Sequence, residues 1–227
     1  MLFRSDRGAE ERCRASTETV DITCQPGSGV SLLPCAVILA AGQGRRYRQA
    51  SGDDQDKLLA PCRGRDGVLR PVLEQVLVNL PGEIVRRVLV TTVHRPLVVE
   101  LGSAHGCEVL QLDSAGMGHS LATAVAACAD ADGWLVLLGD MPFILADTTR
   151  QVVDSMAAQQ ISVPRWGVEL GHPVGFGRRY GEALRGLSGD RGARPLFASG
   201  RVVEVPVSDP GVVWDVDVPQ ALISRQA

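Results

Sequence analysis

The chain has no apolar run approaching the ~20 residues needed to cross a bilayer, so no membrane span is expected. Its first residues lack the apolar core of a secretory signal, because Arg4, Asp6, Arg7, Glu10, Glu11 and Arg12 interrupt any such stretch. Six cysteines are present, but Cys13, Cys24, Cys35, Cys62, Cys107 and Cys128 form no Cys-x-x-Cys pair and no regular framework. That spacing speaks against a disulfide scaffold and a zinc site, and reads as reduced thiols in a cytoplasm. The four histidines (His94, His105, His119, His172) are scattered rather than clustered. A formal net charge of −3 removes the basic excess on which generic binding to nucleic acid or an anionic membrane depends.

Two phosphate-binding motifs are also missing. The glycines of Ala41-Gly42-Gln43-Gly44 are followed by Arg45-Arg46-Tyr47, where a P-loop needs Gly-Lys-Ser/Thr. A dinucleotide fingerprint would need a third glycine opening a helix, and Arg48 stands beyond Tyr47 instead.

What is present is a chain of 227 residues, 45% hydrophobic and 22% charged, which suits one α/β-sized domain. Residues 1 to about 34 are polar, carry Gly27-Ser28-Gly29 near their end and show no sustained period, so they read as a flexible leader ahead of a domain over 35–227. Cys35 to Leu39 is a short apolar run that breaks into glycines, the signature of a buried parallel strand feeding a tight loop. Gly42 and Gly44 can turn successive N–H groups inward as a nest for phosphate oxygens, and Arg46 can add a bidentate contact. The alternative for an isolated Gly-x-Gly is an ordinary turn with solvated arginines. Gln49 to Gln55 reads as a mobile surface flap.

Further along, Val72, Val76, Leu77 and Leu80 fall at helical spacing before Pro81-Gly82 stops the run. Val88–Thr92, Val109–Leu112 and Trp134–Leu138 read as strands, with helices over Ser120–Ala129 and Asp147–Gln159. This alternation predicts βαβ units and a three-layer, mostly parallel sheet, with ligands outside the carboxyl ends of the strands. Ala41-Gly42, Gly139-Asp140-Met141-Pro142 and Val216-Asp217-Val218-Pro219 should then share one rim.

Asp140 follows an apolar strand, where an uncompensated charge is costly, so a cation partner is expected. Asp215 and Asp217 alternate with Val216 and would share one face of an extended strand. Paired with Asp140, either would make an oxygen site suited to Mg²⁺, although spacing alone leaves Asp140 open to being a turn or capping aspartate. Lys57 can neutralise a triphosphate, or be a solvated partner of Asp56. Gly116-Met117-Gly118-His119-Ser120 can approach a base or ribose, or merely cap a helix. His172, Asp190, Arg191 and Arg194 form a second group in loops of the carboxyl half, where arginines can hold an anionic acceptor or make surface salt bridges.

Leu39-Ala40-Ala41-Gly42-Gln43-Gly44-Arg45-Arg46, Asp56-Lys57-Leu58-Leu59, Gly116-Met117-Gly118-His119-Ser120-Leu121, Leu138-Gly139-Asp140-Met141-Pro142, Gly171-His172-Pro173, Gly189-Asp190-Arg191-Gly192-Ala193-Arg194 and Asp215-Val216-Asp217-Val218-Pro219 stand in this order. Together they resemble the motif set of the MobA-like nucleotidyltransferases, nearest to the molybdenum cofactor cytidylyltransferases. The resemblance implies a Rossmann-like fold of the nucleotide-diphospho-sugar transferase type that transfers CMP from CTP to molybdopterin with release of pyrophosphate. It further implies that Arg46 and Lys57 handle the triphosphate, and that Leu39, Ala40, Ala41, Gly42, Gly44, Gly116, Met117 and Ser120 bind the nucleotide. Asp140 and Asp217 would hold Mg²⁺, and His172, Asp190 and Arg194 the acceptor. CTP and a molybdopterin-type acceptor are the implied partners, with a molybdoenzyme as client. Ala41, where the guanylyl branch tends to carry glycine, is what points to CTP. The chain departs from the pattern at Arg48, at Gln49 to Gln55 and at His119, which stands where serine is common. Transfer to another phosphorylated molecule, such as a sugar phosphate or phospholactate, stays open, as does a non-catalytic nucleotide-binding or cofactor-delivery role.

Overall fold

The computed structural model describes residues 34–52, 55–113 and 116–222. The leader expected over residues 1–34 therefore lies, apart from Pro34, outside the described residues. Strand β1 (Cys35–Leu39) leads through the glycine loop into a short helix α1 (Arg45–Ser51) and a 3-10 turn at Lys57–Leu59. A hairpin of β2 (Pro61–Arg63) and β3 (Leu69–Pro71) precedes α2 (Val72–Val78). Strand and helix then alternate as β4 (Arg87–Thr91), α3 (Pro96–Ala104), β5 (Glu108–Gln111), α4 (Met117–Ala127), β6 (Gly133–Leu138) and α5 (Ala146–Asp154). The carboxyl half adds β7 (Ile161–Trp166), β8 (Glu169–Leu170), β9 (Val174–Gly177), α6 (Gly181–Arg185), α7 (Arg194–Ser199) and β10 (Val202–Pro206).

The main sheet has the order β10-β7-β9-β6-β1-β4-β5, with β8 paired to β7. Strands β6, β1, β4 and β5 run parallel, as do β7 and β10, and β9 runs antiparallel to both of its neighbours. The alternation of side chains along β1 divides the core in two. Cys35 and Val37 point to the face covered by Leu121, Ala124 and Val125 of α4 and Leu184 of α6. Ala36 and Ile38 point to the face covered by Leu73 and Leu77 of α2, Val98 of α3 and Val152 of α5. Strand β6 repeats the division, Trp134 and Val136 facing one way, Leu135 and Leu137 the other. Each fully buried leucine or isoleucine in these layers contributes about 1.5–3 kcal/mol. The expected three-layer, mostly parallel α/β sheet is what the chain forms.

Four expectations need correction. Gln49 to Ser51 are helical, because α1 extends to a left-handed cap at Gly52 and buries Tyr47 against Val72, Phe143 and Val216. Of that stretch, residues 53 and 54 lie outside the described residues. Helix α4 starts at Met117, its first turn closed by the Ser120 N–H on the Gly116 carbonyl at 3.1 Å, so Ser120 lies inside the helix and Gly116 stands at the N-cap. Helix α5 ends at Asp154, after which Met156 drops into the core and the Ser155 carbonyl accepts from Ser162 Oγ at 3.1 Å. Finally, Asp215–Asp217 is no strand: residues 214–216 run without a ladder, anchored by the Val216 N–H on the Asp140 carbonyl at 2.8 Å and by complete burial of the Val216 side chain.

Candidate functional site

The carboxyl ends of β1 and β6 lie side by side, joined by the Gly139 N–H on the Leu39 carbonyl at 2.9 Å. Leu39 and Ala41 pack partly into the core, Ala40 is buried and Gly42 is exposed, so the loop rises out of the sheet over three residues. Gly44 sits at φ 59°, ψ 28°, the left-handed region that a side chain disfavours, and opens α1. A Cβ on Gly44 would lie 3.6 Å from Lys57 Cγ, so the loop rests directly on the stem of that lysine. Arg45 and Arg48 turn back to Gln43, through its side-chain oxygen and its carbonyl at 2.7 Å each. Arg46, its side chain 83% exposed, reaches Asp217 Oδ2 at 2.8 Å.

Lys57 is the centre of the arrangement. Its side chain is 9% exposed, and its Nζ donates to Asp140 Oδ2 at 2.5 Å and to Asp217 Oδ1 at 3.2 Å. Burial pulls the Lys57 ammonium down, but the two carboxylates outweigh burial and leave its pKa raised. Burial also pushes Asp217 up, and here Lys57 and Arg46 win, holding its carboxyl below the usual range. Asp215 faces outward, yet partial burial together with Asp217 and Asp140 raises its carboxyl. Asp140 and Asp217 thus converge on one cation position from chain segments far apart, at the rim where the sequence placed them.

That donor set can be tested against a divalent metal. Among the described residues no three His, Cys, Asp or Glu side chains form a ready cage. Two carboxylates closing on a single positive charge fit a hard cation that takes one or two carboxylates and completes its shell with water and substrate phosphates, as Mg²⁺ does.

The second group of predicted residues lies next to the first. Gly116, at φ 137°, leaves no room for a side chain: a Cβ would fall 2.5 Å from Asp190 Oδ1 and 2.6 Å from the Gly189 backbone. The Gly118 N–H donates to the Gly189 carbonyl at 2.8 Å, and the half-exposed Met117 lies against Gly192. The loops read separately as nucleotide-side and acceptor-side are therefore one packed unit. Ser120 is buried, and its hydroxyl donates to the Gly116 carbonyl at 3.2 Å. His172, beside a cis peptide to Pro173, has its pKa drawn down to about 4 by burial and by Arg194, with Asp140 opposing, so it is neutral at pH 7.

Three supporting residues escaped the sequence reading. Arg95, one residue before the Pro96 that opens α3, donates to the Ala40 carbonyl at 2.8 Å and the Gly42 carbonyl at 2.7 Å, and pairs with Asp56 Oδ2 at 3.0 Å. Asn79 Nδ2 bridges the carbonyls of Pro142 (2.9 Å) and Ile144 (3.0 Å), while its Oδ1 accepts from the buried Gln75 at 2.9 Å, fixing the turn that follows Asp140. Asp209 is buried and accepts from Arg65, Leu145 N–H, Thr148 Oγ1 and Gly211 N–H at 2.8–3.0 Å, tying the start of α5 to the segment that leads to Asp217. The only signal for Arg95 was its place after a strand, on the rim; polar residues amid apolar neighbours were the signal for Gln75 and Asn79.

Comparison with known proteins bears on this geometry. Residues 36–205 match the model of the MobA-like NTP transferase domain. The chain is 35% identical over 144 residues to the bifunctional protein GlmU of Aromatoleum aromaticum, covering 63% of this chain and 29% of that one. The chain thus spans less than a third of the length of the GlmU relatives it first matches. It is 29% identical over 197 residues to the purine catabolism protein PucB of Bacillus subtilis, covering 81% and 91%. The crystal structure of Rv0371c from Mycobacterium tuberculosis superposes with a TM-score of 0.66 at 28% identity over 83% of this chain and 95% of that one. Rv0371c has also been solved in complex with manganese, and that structure superposes with a TM-score of 0.63. No helix among the described residues is long and apolar enough to cross a membrane.

Proposed function

Because the chain belongs to the MobA-like NTP transferase family, we propose that it transfers a nucleotidyl group from a nucleoside triphosphate to a phosphorylated small molecule, and specifically CMP from CTP to molybdopterin. The observation that carries the reading is Lys57, buried against the glycine loop and shared between Asp140 and Asp217. A nearly buried lysine kept charged by two converging carboxylates at a strand-end rim is poor surface design and good phosphoryl-transfer design.

In this reading the acceptor's phosphate oxygen attacks the α-phosphorus, the bond from that phosphorus to the bridging oxygen breaks, and pyrophosphate leaves. The glycine loop, Arg46 and Lys57 bind and orient the triphosphate. Gly116, Met117 and the first turn of α4 meet the base and ribose, with Leu39, Ala40 and Ala41 forming the floor. Asp140 and Asp217 would hold Mg²⁺, whose charge would offset that of the phosphates. That Rv0371c has been solved in complex with manganese supports divalent-metal use in this family. His172, Asp190 and Arg194 line the acceptor side, where a neutral His172 can donate or accept a hydrogen bond without adding charge.

The test is pyrophosphate release with each of the four nucleoside triphosphates, with and without Mg²⁺ and molybdopterin. We expect release to require Mg²⁺ and acceptor and to be fastest with CTP. Release with a sugar phosphate in place of molybdopterin would keep the chemistry and replace the acceptor. No release with any nucleotide and acceptor would leave a binding role.

A further inference from the structure

We infer that Arg95 is the positioning residue that sets the phosphate-binding geometry of the glycine loop; the inference rests on the nucleotidyltransferase reading above. All three guanidinium nitrogens are engaged: Nη1 on the Ala40 carbonyl at 2.8 Å, Nη2 on the Gly42 carbonyl at 2.7 Å, and Nε on Asp56 Oδ2 at 3.0 Å. Thr91 Oγ1 adds a weaker bond to the same Ala40 carbonyl at 3.4 Å. The side chain is 14% exposed and its charge is matched by Asp56, so it is spent on the protein and is not held out for a ligand.

The consequence follows from peptide geometry. In a trans peptide the carbonyl of one residue and the N–H of the next point in opposite directions. Drawing the Ala40 and Gly42 carbonyls onto one guanidinium therefore turns the N–H groups of Ala41 and Gln43 the other way, both toward the same side. Two N–H groups aimed alike give a phosphate two convergent backbone donors. Among the described residues nothing packs over Gly42 itself, since a Cβ built there would meet no atom within 4 Å. The same clamp reaches Lys57: Asp56, gripped by Arg95 through one oxygen, uses the other to cap the Lys57–Leu59 turn by accepting the Leu58 N–H at 3.1 Å. One side chain thus orients both the backbone donors and the segment that carries the ammonium. A lysine in its place keeps the charge opposite Asp56 and loses the fork.

The experiment compares wild type, Arg95→Lys and the control Arg86→Lys, whose arginine pairs with Asp130 at the surface. Affinities for inorganic pyrophosphate, CTP and CMP are measured by calorimetry in Mg²⁺, with melting temperature alongside. We expect Arg95→Lys to melt close to wild type, to lose tenfold or more in pyrophosphate and CTP affinity, and to lose much less for CMP. Arg86→Lys should match wild type throughout. Unchanged pyrophosphate affinity in Arg95→Lys, or an equal loss for CMP and CTP, would overturn the inference and leave Arg95 a purely structural residue. If Arg95→Lys does not fold, Arg95→Gln, which keeps a planar donor for one carbonyl, replaces it with the same expectations. Wild type binding none of the three ligands would instead count against the nucleotidyltransferase reading itself.

Discussion

Replacing Lys57 with methionine removes one ammonium and keeps most of its buried stem. Taking one partner from a fully buried ion pair costs about 3–5 kcal/mol. Here the Asp140 and Asp217 side chains are 20% and 34% exposed, so water screens part of the repulsion left behind, and we expect about 1–3 kcal/mol. In a chain of this size ~2 kcal/mol corresponds to roughly 4–8 °C in melting temperature. The pH dependence fixes the cause. Asp217's pKa is lowered in the fold, so its share of the stability is present above the ordinary carboxylate pKa and is lost as pH falls through the folded value. The Lys57 pKa is raised, so its share is present below the ordinary lysine pKa and is lost as pH rises through the folded value. The difference between Lys57→Met and wild type should therefore be widest near neutrality and should close in strong acid and strong base. Manganese supplies a second axis. With the ammonium gone, the two carboxylates bind the ion without competition, and a hundredfold excess over its dissociation constant would return about 2.7 kcal/mol. Urea unfolding of both proteins at pH 3 and pH 7, with and without Mn²⁺, provides the measurement. A variant as stable as wild type at pH 7 in a chelator, or a metal stabilisation no larger in the variant than in wild type, would refute the reasoning.

Asp140→Asn keeps the volume and removes the charge, and should lower turnover at least about 100-fold at saturating Mg²⁺ while the protein remains folded; a circular-dichroism spectrum with steady-state kinetics checks both halves. Ala41→Gly should relax a CTP preference by roughly 10 to 200-fold, the worth of one methyl in an apolar pocket, as read from kcat/KM for CTP against GTP. Equal kcat/KM for the two nucleotides in the unmutated protein would remove the cytidylyl assignment. Asn79→Ala strands two carbonyls and should cost about 1–3 kcal/mol in urea unfolding. Its kcat should also fall, because the turn after Asp140 is no longer held.

Half of the sheet was legible because Cys35–Leu39, Arg87–Thr91, Glu108–Gln111 and Gly133–Leu138 each contain a short run of β-branched residues and leucine. The other half was hidden by chemistry that serves packing. Strand β9 reads Val-Gly-Phe-Gly, and its glycines are demanded by neighbours: a Cβ on Gly175 would fall 2.7 Å from Met156 and one on Gly177 2.0 Å from the Ala157 carbonyl. Strand β7 carries Pro164, a residue that ordinarily argues against an interior strand. The charged side chains were legible as types, since Asp140 closes an apolar run, Asp217 alternates with Val216 and Val218, and Lys57 stands where a polar stretch gives way to Leu58-Leu59. That Lys57 lies between both aspartates was not, because the contact depends on the Val216 anchor and on how α1 folds over the glycine loop. Arg95 was hidden for a related reason: two of its three partners are backbone carbonyls, which every sequence has, and the third, Asp56, is distant in the chain.

The segment that carries Asp217 belongs to no strand, and its contacts with Lys57 and Arg46 span 160 and 171 residues. A chain still emerging from the ribosome can lay down β1, β4 and β6 and bring Lys57 to Asp140 long before its second carboxylate has been made. Such a half-built molecule lacks one of the two carboxylates that hold Lys57 until Val216 seats on the Asp140 carbonyl. Trp214, stacked edge-on to Phe143 with its indole N–H on the Ala221 carbonyl at 3.1 Å, rides on the same segment. With Trp134 and Trp166 replaced, its fluorescence would report when that segment seats.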